Sequence, residues 1–159
     1  MKQDQLKQFM FVPKIVKYAL IFSALVYVIV AGAQYQFQYP SFDVEAFLAN
    51  QLNLILSLVA VSMIGVASVL KKILSGGVAD KDFNIMDNNE KLIFYKKKFI
   101  PYIVQLVVYE SITIYGLVLS FINKNPSYII PFAILTIVLM LNTKFEINST
   151  SVSRSYSVE

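Results

Sequence analysis

The stretch FIPYIVQLVVYESITIYGLVLSFI, Phe99 to Ile122, has 24 residues and a single charge, Glu110. At ~1.5 Å of rise per helical residue it covers the ~30 Å hydrocarbon core of a bilayer. Glu110 then falls near the midplane, where a charge is costly unless it is protonated, paired or hydrated. An ionisable residue in that position is a functional-site candidate before anything else is known of the protein.

Three further uncharged blocks flank it. Tyr18–Ala33 has 16 residues, Leu54–Leu70 has 17 and Tyr128–Leu141 has 14, the last staying charge-free from Asn125 to Thr143. Over all 159 residues, 57% are hydrophobic and 15% charged, with a mean hydropathy of +0.60. Soluble domains carry about 25% charge. These blocks predict an all-α integral membrane protein, one membrane domain over 1–159. Four transmembrane helices, at about 15–33, 53–70, 99–122 and 127–143, are expected to form two antiparallel hairpins.

Charge placement sets the expected orientation. Lys2, Lys7, Lys14 and Lys17 precede the first block, and Lys71, Lys72, Lys81, Lys91, Lys96, Lys97 and Lys98 lie between the second and third. Lys144 and Arg154 follow the fourth; only Lys124 falls on the other side. Thirteen basic residues against one predict a cytoplasmic, inner-membrane topology with both termini inside and a cytoplasmic loop at 71–98. The net charge of +4 is then a topology signal and predicts no nucleic-acid partner. The first block, ending in Ala31-Gly32-Ala33, has the outline of a cleaved secretory signal. Its apolar run is long for one, and Tyr35, Phe37 and Tyr39 continue it as an interfacial aromatic belt, so an uncleaved span is expected.

There is no cysteine, histidine or tryptophan. Disulfides, thiolate metal sites and most zinc, haem and triad chemistry are thereby excluded. With no second intramembrane acid and no nucleophile–base pair, neither an enzyme nor a cofactor is expected.

Along the chain, Ser41 with Asp43 and Glu45 predicts a helix start, and one long helix is expected from there to Leu74, stopped by Ser75-Gly76-Gly77. On it, Ser57, Ser62, Gly65 and Ser68 form a face of small residues expected to pack against a neighbouring helix. Asp80, Asp82, Asn84 and Asp87 resemble a calcium loop only superficially, because Ile85 and Lys91 stand where glycine and glutamate are needed. Asp87 with Glu90 predicts instead a capping box opening a helix from about Asn88 to Ile122. Lys96, Lys97 and Lys98 would meet lipid headgroups at the membrane surface. Asn123-Lys124-Asn125-Pro126 predicts a tight turn, and the serine-rich tail, 145–159, is expected to be disordered.

At 100° per residue, Tyr102, Gln105, Tyr109, Thr113, Gly116, Ser120 and Asn123 share with Glu110 a sector about 140° wide. Glu110 lies at the border of this polar stripe, which needs protein partners or water. No lysine or arginine lies inside a span to pair with it. The run from Glu110 to Phe121 resembles the ion-binding helix of the rotary-ATPase proteolipid (subunit c) family, over 12 residues. That resemblance implies a reversible proton or sodium site at Glu110, with Thr113 and Tyr109 as neighbours. The chain as a whole resembles small four-span bacterial membrane proteins with a glutamate in the third span. The expected function is a non-enzymatic membrane subunit or interaction protein. It would pack with other membrane subunits or with copies of itself, and the alternative is a proton- or cation-binding transport component.

Overall fold

The computed structural model describes residues 3–75 and 86–145. Its elements are α1 (Gln3–Gln34), α2 (Val44–Ala49), α3 (Gln51–Ser75), α4 (Asn88–Ile122), a 3-10 turn (Pro126–Tyr128) and α5 (Ile129–Asn142), with no strand among the described residues. Three helices are long and apolar enough to cross a membrane: α1 from Phe11 to Gln34, α3, and α4. Pro126–Asn142 forms a shorter apolar helical segment. The tail beyond Phe145 and most of the acidic loop, 76–85, lie outside the described residues.

α4 is the axis of the molecule. In its most apolar window 44% of residues are buried, against 17% in α1 and in α3. The helix starts where Asp87 and Glu90 form the expected capping box, with the Asp87 amide donating to Glu90 Oε2 at 3.3 Å. It ends at Ile122, where the Lys124 amide bonds the Phe121 carbonyl and the Asn125 amide bonds the Ser120 carbonyl. This is a Schellman closure, and it holds Lys124 at φ 51°, a left-handed conformation usually given to glycine. α1 closes in the same way on Gln36, φ 53°, with the Phe37 amide on the Gly32 carbonyl at 2.7 Å. Gly32 lets the Tyr39 ring lie close to the helix: a methyl group there would overlap the Tyr39 hydroxyl, and the exposed Tyr39 and Phe37 rings would have to shift.

Around α4, the helices α3 and α5 run antiparallel and α1 runs parallel. Lys17 of α1 caps α5, its ammonium donating to the carbonyls of Leu141 and Thr143 at 2.9 Å each. Tyr102 of α4 reaches the Pro13 carbonyl. At the opposite end, Phe42, Phe47 and Tyr128 meet ring to ring at 5.0–5.2 Å, and Ser127 donates to the Pro40 carbonyl. The segment linking α1 to α3 is thereby tied over the α4–α5 turn. This arrangement gathers Lys14, Lys17, Lys71, Lys72, Lys96, Lys97, Lys98 and Lys144 at one end of the bundle and leaves Lys124 at the other.

Three expectations are corrected. The helix expected from Ser41 to Leu74 is two helices, broken at Asn50, whose φ and ψ of −90° and 112° are extended. Asn50 Oδ1 accepts the Leu52 amide at 3.0 Å, so its side chain competes with the helix ladder and restarts it as α3. The N-cap of α2 is Asp43, not Ser41, and accepts the Ala46 amide at 3.0 Å.

The first antiparallel pair does not form either. α4 and α5 make the expected hairpin, but α1 packs on α4 and α5 and makes no close approach to α3, because α4 lies between them.

The face chosen on α3 is also not its packing face. Ser62, Gly65 and Ser68 are exposed and Ser57 is half-buried; nothing lies within 4 Å of a methyl group placed on Gly65. Ser62 and Ser68 bond the Val59 and Ile64 carbonyls of their own helix at 2.7 and 3.0 Å. Asn53, Ala60 and Ala67, seven residues apart, are the ones fully buried against α4. A seven-residue spacing keeps one edge of a helix on its neighbour, and alanine lets the two backbones approach.

Candidate functional site

The polar stripe of α4 is its interior face. Tyr102, Gln105, Tyr109, Thr113, Gly116 and Ser120 are all buried. Most of their polar groups are satisfied within the bundle. Gln105 Nε2 donates to the Tyr109 hydroxyl at 2.8 Å, and Ser120 Oγ donates to the Gly116 carbonyl at 3.0 Å. Thr136 of α5 donates to the Tyr109 carbonyl at 3.0 Å. Two atoms keep no partner among the described residues, Gln105 Oε1 and Thr113 Oγ1; on α3, Ser57 Oγ is in the same position.

Glu110 stands at the edge of this face, half-buried. Its partner is Tyr27 of α1, whose hydroxyl donates to Glu110 Oε1 at 3.4 Å, a long hydrogen bond. On the other side of Glu110, α4 turns outward with Ile100, Val107, Ile114 and Val118, all exposed. These residues floor an open strip between α1 and α3, which flank α4 without meeting.

Of the ion-site candidates, Tyr109 and Thr113 lie inward while Glu110 lies at the rim. The Tyr109 hydroxyl is committed to Gln105, one turn away from the carboxyl. No group of three or more metal-ligating acids occurs among the described residues. Tyr27 was not legible as part of the site: it is 83 residues from Glu110, and a tyrosine in an apolar block reads as filler until the partner helix is known.

The lysine triplet splits in the same way. Lys96 and Lys97 are exposed, whereas Lys98 turns inward with its ammonium 5.5 Å from the centre of the Phe94 ring. At the far end, a cavity of about 540 Å³ is lined by Gln34, Gln36, Gln38, Tyr35, Tyr39 and Lys124, among others. It brings together amides, phenols and one ammonium, without an acid–base pair.

A scan against protein-family models and searches of curated proteins and of solved structures gave no match to this chain.

Proposed function

We propose that this protein is a small, non-enzymatic membrane subunit that packs against a partner through the open strip of α4, with Glu110 contributing to that contact. The observation that carries the reading is the position of the carboxyl. It is half-buried, holds a long hydrogen bond to Tyr27, and borders an apolar strip that none of the described helices covers. Inside a bilayer a carboxyl so placed is costly until another donor reaches it, and a partner helix seated between α1 and α3 would supply one.

In the proposed topology α1, α3, α4 and α5 all span the inner membrane, with both termini cytoplasmic. The gathering of lysines at one end supports that orientation. Single cysteines at Ser41, in the linker before α2, and at Ser75, the last residue of α3, are expected to be labelled from opposite sides of the membrane. Labelling of both from one side would overturn the topology.

The second reading, a reversible proton or cation site, rests on the buried Thr113 hydroxyl, which has no partner among the described residues and lies one helical turn from Glu110. Glu110→Gln divides the two readings. Under the packing reading the variant keeps its assembly mass, whereas Ile114→Trp, on the open strip, lowers that mass with little change in melting. Val138→Trp, on the exposed face of α5, serves as the control. If Ile114→Trp leaves the mass unchanged, the strip is a lipid face and the packing reading fails. Labelling of Glu110 by a hydrophobic carbodiimide, with protection by protons or sodium, is the result that would establish the second reading.

A further inference from the structure

Along the outward side of α4, Ile100, Val107, Ile114 and Phe121 recur at seven-residue intervals. Val104, Ser111 and Val118 alternate with them, each four residues on. A seven-residue recurrence keeps one seam of a helix on one neighbouring helix, with a slight left-handed winding. The first four residues are 41–54% exposed, so the row stands clear of the flanking α1 and α3 rather than beneath them. The alternating residues are short, and Ser111 donates its hydroxyl to the Val108 carbonyl of its own helix at 2.6 Å. A second helix backbone can therefore come close.

Two polar residues border this seam. Glu110 stands on the α1 side, beside Tyr27. Tyr115 stands about 140° further round the helix, on the opposite border. It is half-buried, and its hydroxyl makes no hydrogen bond to a described residue. Parallel helices that share such a seam set a residue on one border against the partner's residue that follows it by five on the other border, which is the spacing of Glu110 and Tyr115. Two copies of one chain inserted with one topology run parallel, and a two-fold axis along the seam makes that contact twice.

We propose that the open strip of α4 is covered by a second copy of this chain, in a parallel two-fold dimer in which Tyr115 of each copy donates to Glu110 of the other. The inference rests on the packing reading above and names its partner. Self-complementarity selects that partner: apolar seam meets apolar seam, and the same chain carries both the carboxyl that lacks a good donor and the phenol that lacks an acceptor.

The chain has no cysteine, so single cysteines report the seam without background. In phosphatidylcholine vesicles, with copper phenanthroline as oxidant, Val107→Cys and, separately, Ile114→Cys are expected to give a disulfide-linked pair. Val138→Cys, on the exposed face of α5, is expected to give none. No link at either α4 position overturns the dimer, as does an assembly of three or more copies. Ile114→Trp then separates the failures: a fall in assembly mass leaves a different partner on the strip, whereas an unchanged mass removes the packing reading as well.

Tyr115→Phe is expected to weaken association about tenfold, read by energy transfer between labelled copies diluted in lipid. Glu110→Ala should weaken it similarly, and the double variant no more than either single one, because both changes remove the same bond. Glu110→Gln, which still accepts a hydrogen bond, should keep the association. Additive losses, or none in Tyr115→Phe, would overturn the contact between Tyr115 and Glu110.

Discussion

Gly116→Val is expected to lower the apparent melting temperature by roughly 6–12 °C, the equivalent of about 3 kcal/mol of overpacking in a chain of this size. Gly116 is buried where α4 meets α5. A methyl group on it would stand 2.7 Å from Phe132 Cβ and 2.9 Å from Phe132 Cγ. The Cβ atom cannot swing away as the tip of a long side chain can, so relief requires the two helices to separate. The hairpin is held by contacts on both sides of this point, including the bond from Thr136 to the Tyr109 carbonyl, and these would be strained together. Phe132→Ala in the same chain opens the space and should return part of the loss. A melt of Gly116→Val within a degree or so of the wild type would show that α4 and α5 do not approach as described.

Asn53→Leu is expected to cost about 2–4 kcal/mol, although leucine is the more apolar residue and the site is fully buried. Asn53 is the centre of a network joining three elements. Its Nδ2 donates to the Phe47 carbonyl of α2 at 3.2 Å, and its Oδ1 accepts from Asn123 at 2.8 Å. Asn123 also donates to the Leu119 carbonyl at 2.9 Å and accepts from Asn50 at 3.3 Å. Leucine would leave the Phe47 carbonyl without this donor and remove an acceptor from the Asn123 amide. The linkage between the Asn50 break and the end of α4 would loosen with it. Thermal melts of Asn53→Leu and Asn53→Asp separate lost hydrogen bonds from lost shape: aspartate keeps the acceptor for Asn123. Full stability of Asn53→Leu would mean the network adds nothing to the fold.

Much of what is set by neighbours within one or two turns was legible in the sequence, although the break at Asn50 and the N-cap at Asp43, equally local, were not. The limits of α4, its capping box at Asp87 and Glu90, and the Asn123–Pro126 turn follow from local hydrogen bonding. So does the grouping of the polar residues of α4 on one face, because residues at 100° intervals share a face whatever they meet; that this face is the interior one came from the packing. The position of Glu110 at the rim of that stripe was fixed by the same arithmetic.

What a face meets depends on which helix arrives there, and only the tertiary structure decided it. The central place of α4 keeps α1 from α3. It gives the buried edge of α3 to Ala60 and Ala67 rather than to Gly65 and its serines, whose hydroxyls were already satisfied by their own backbone. Asn50 broke a helix that periodicity alone would continue, because its side chain had a backbone amide within reach. Tyr27 came to Glu110, and Lys144 to Lys71, through packing between residues far apart in the chain, for which a single sequence carries no local signal.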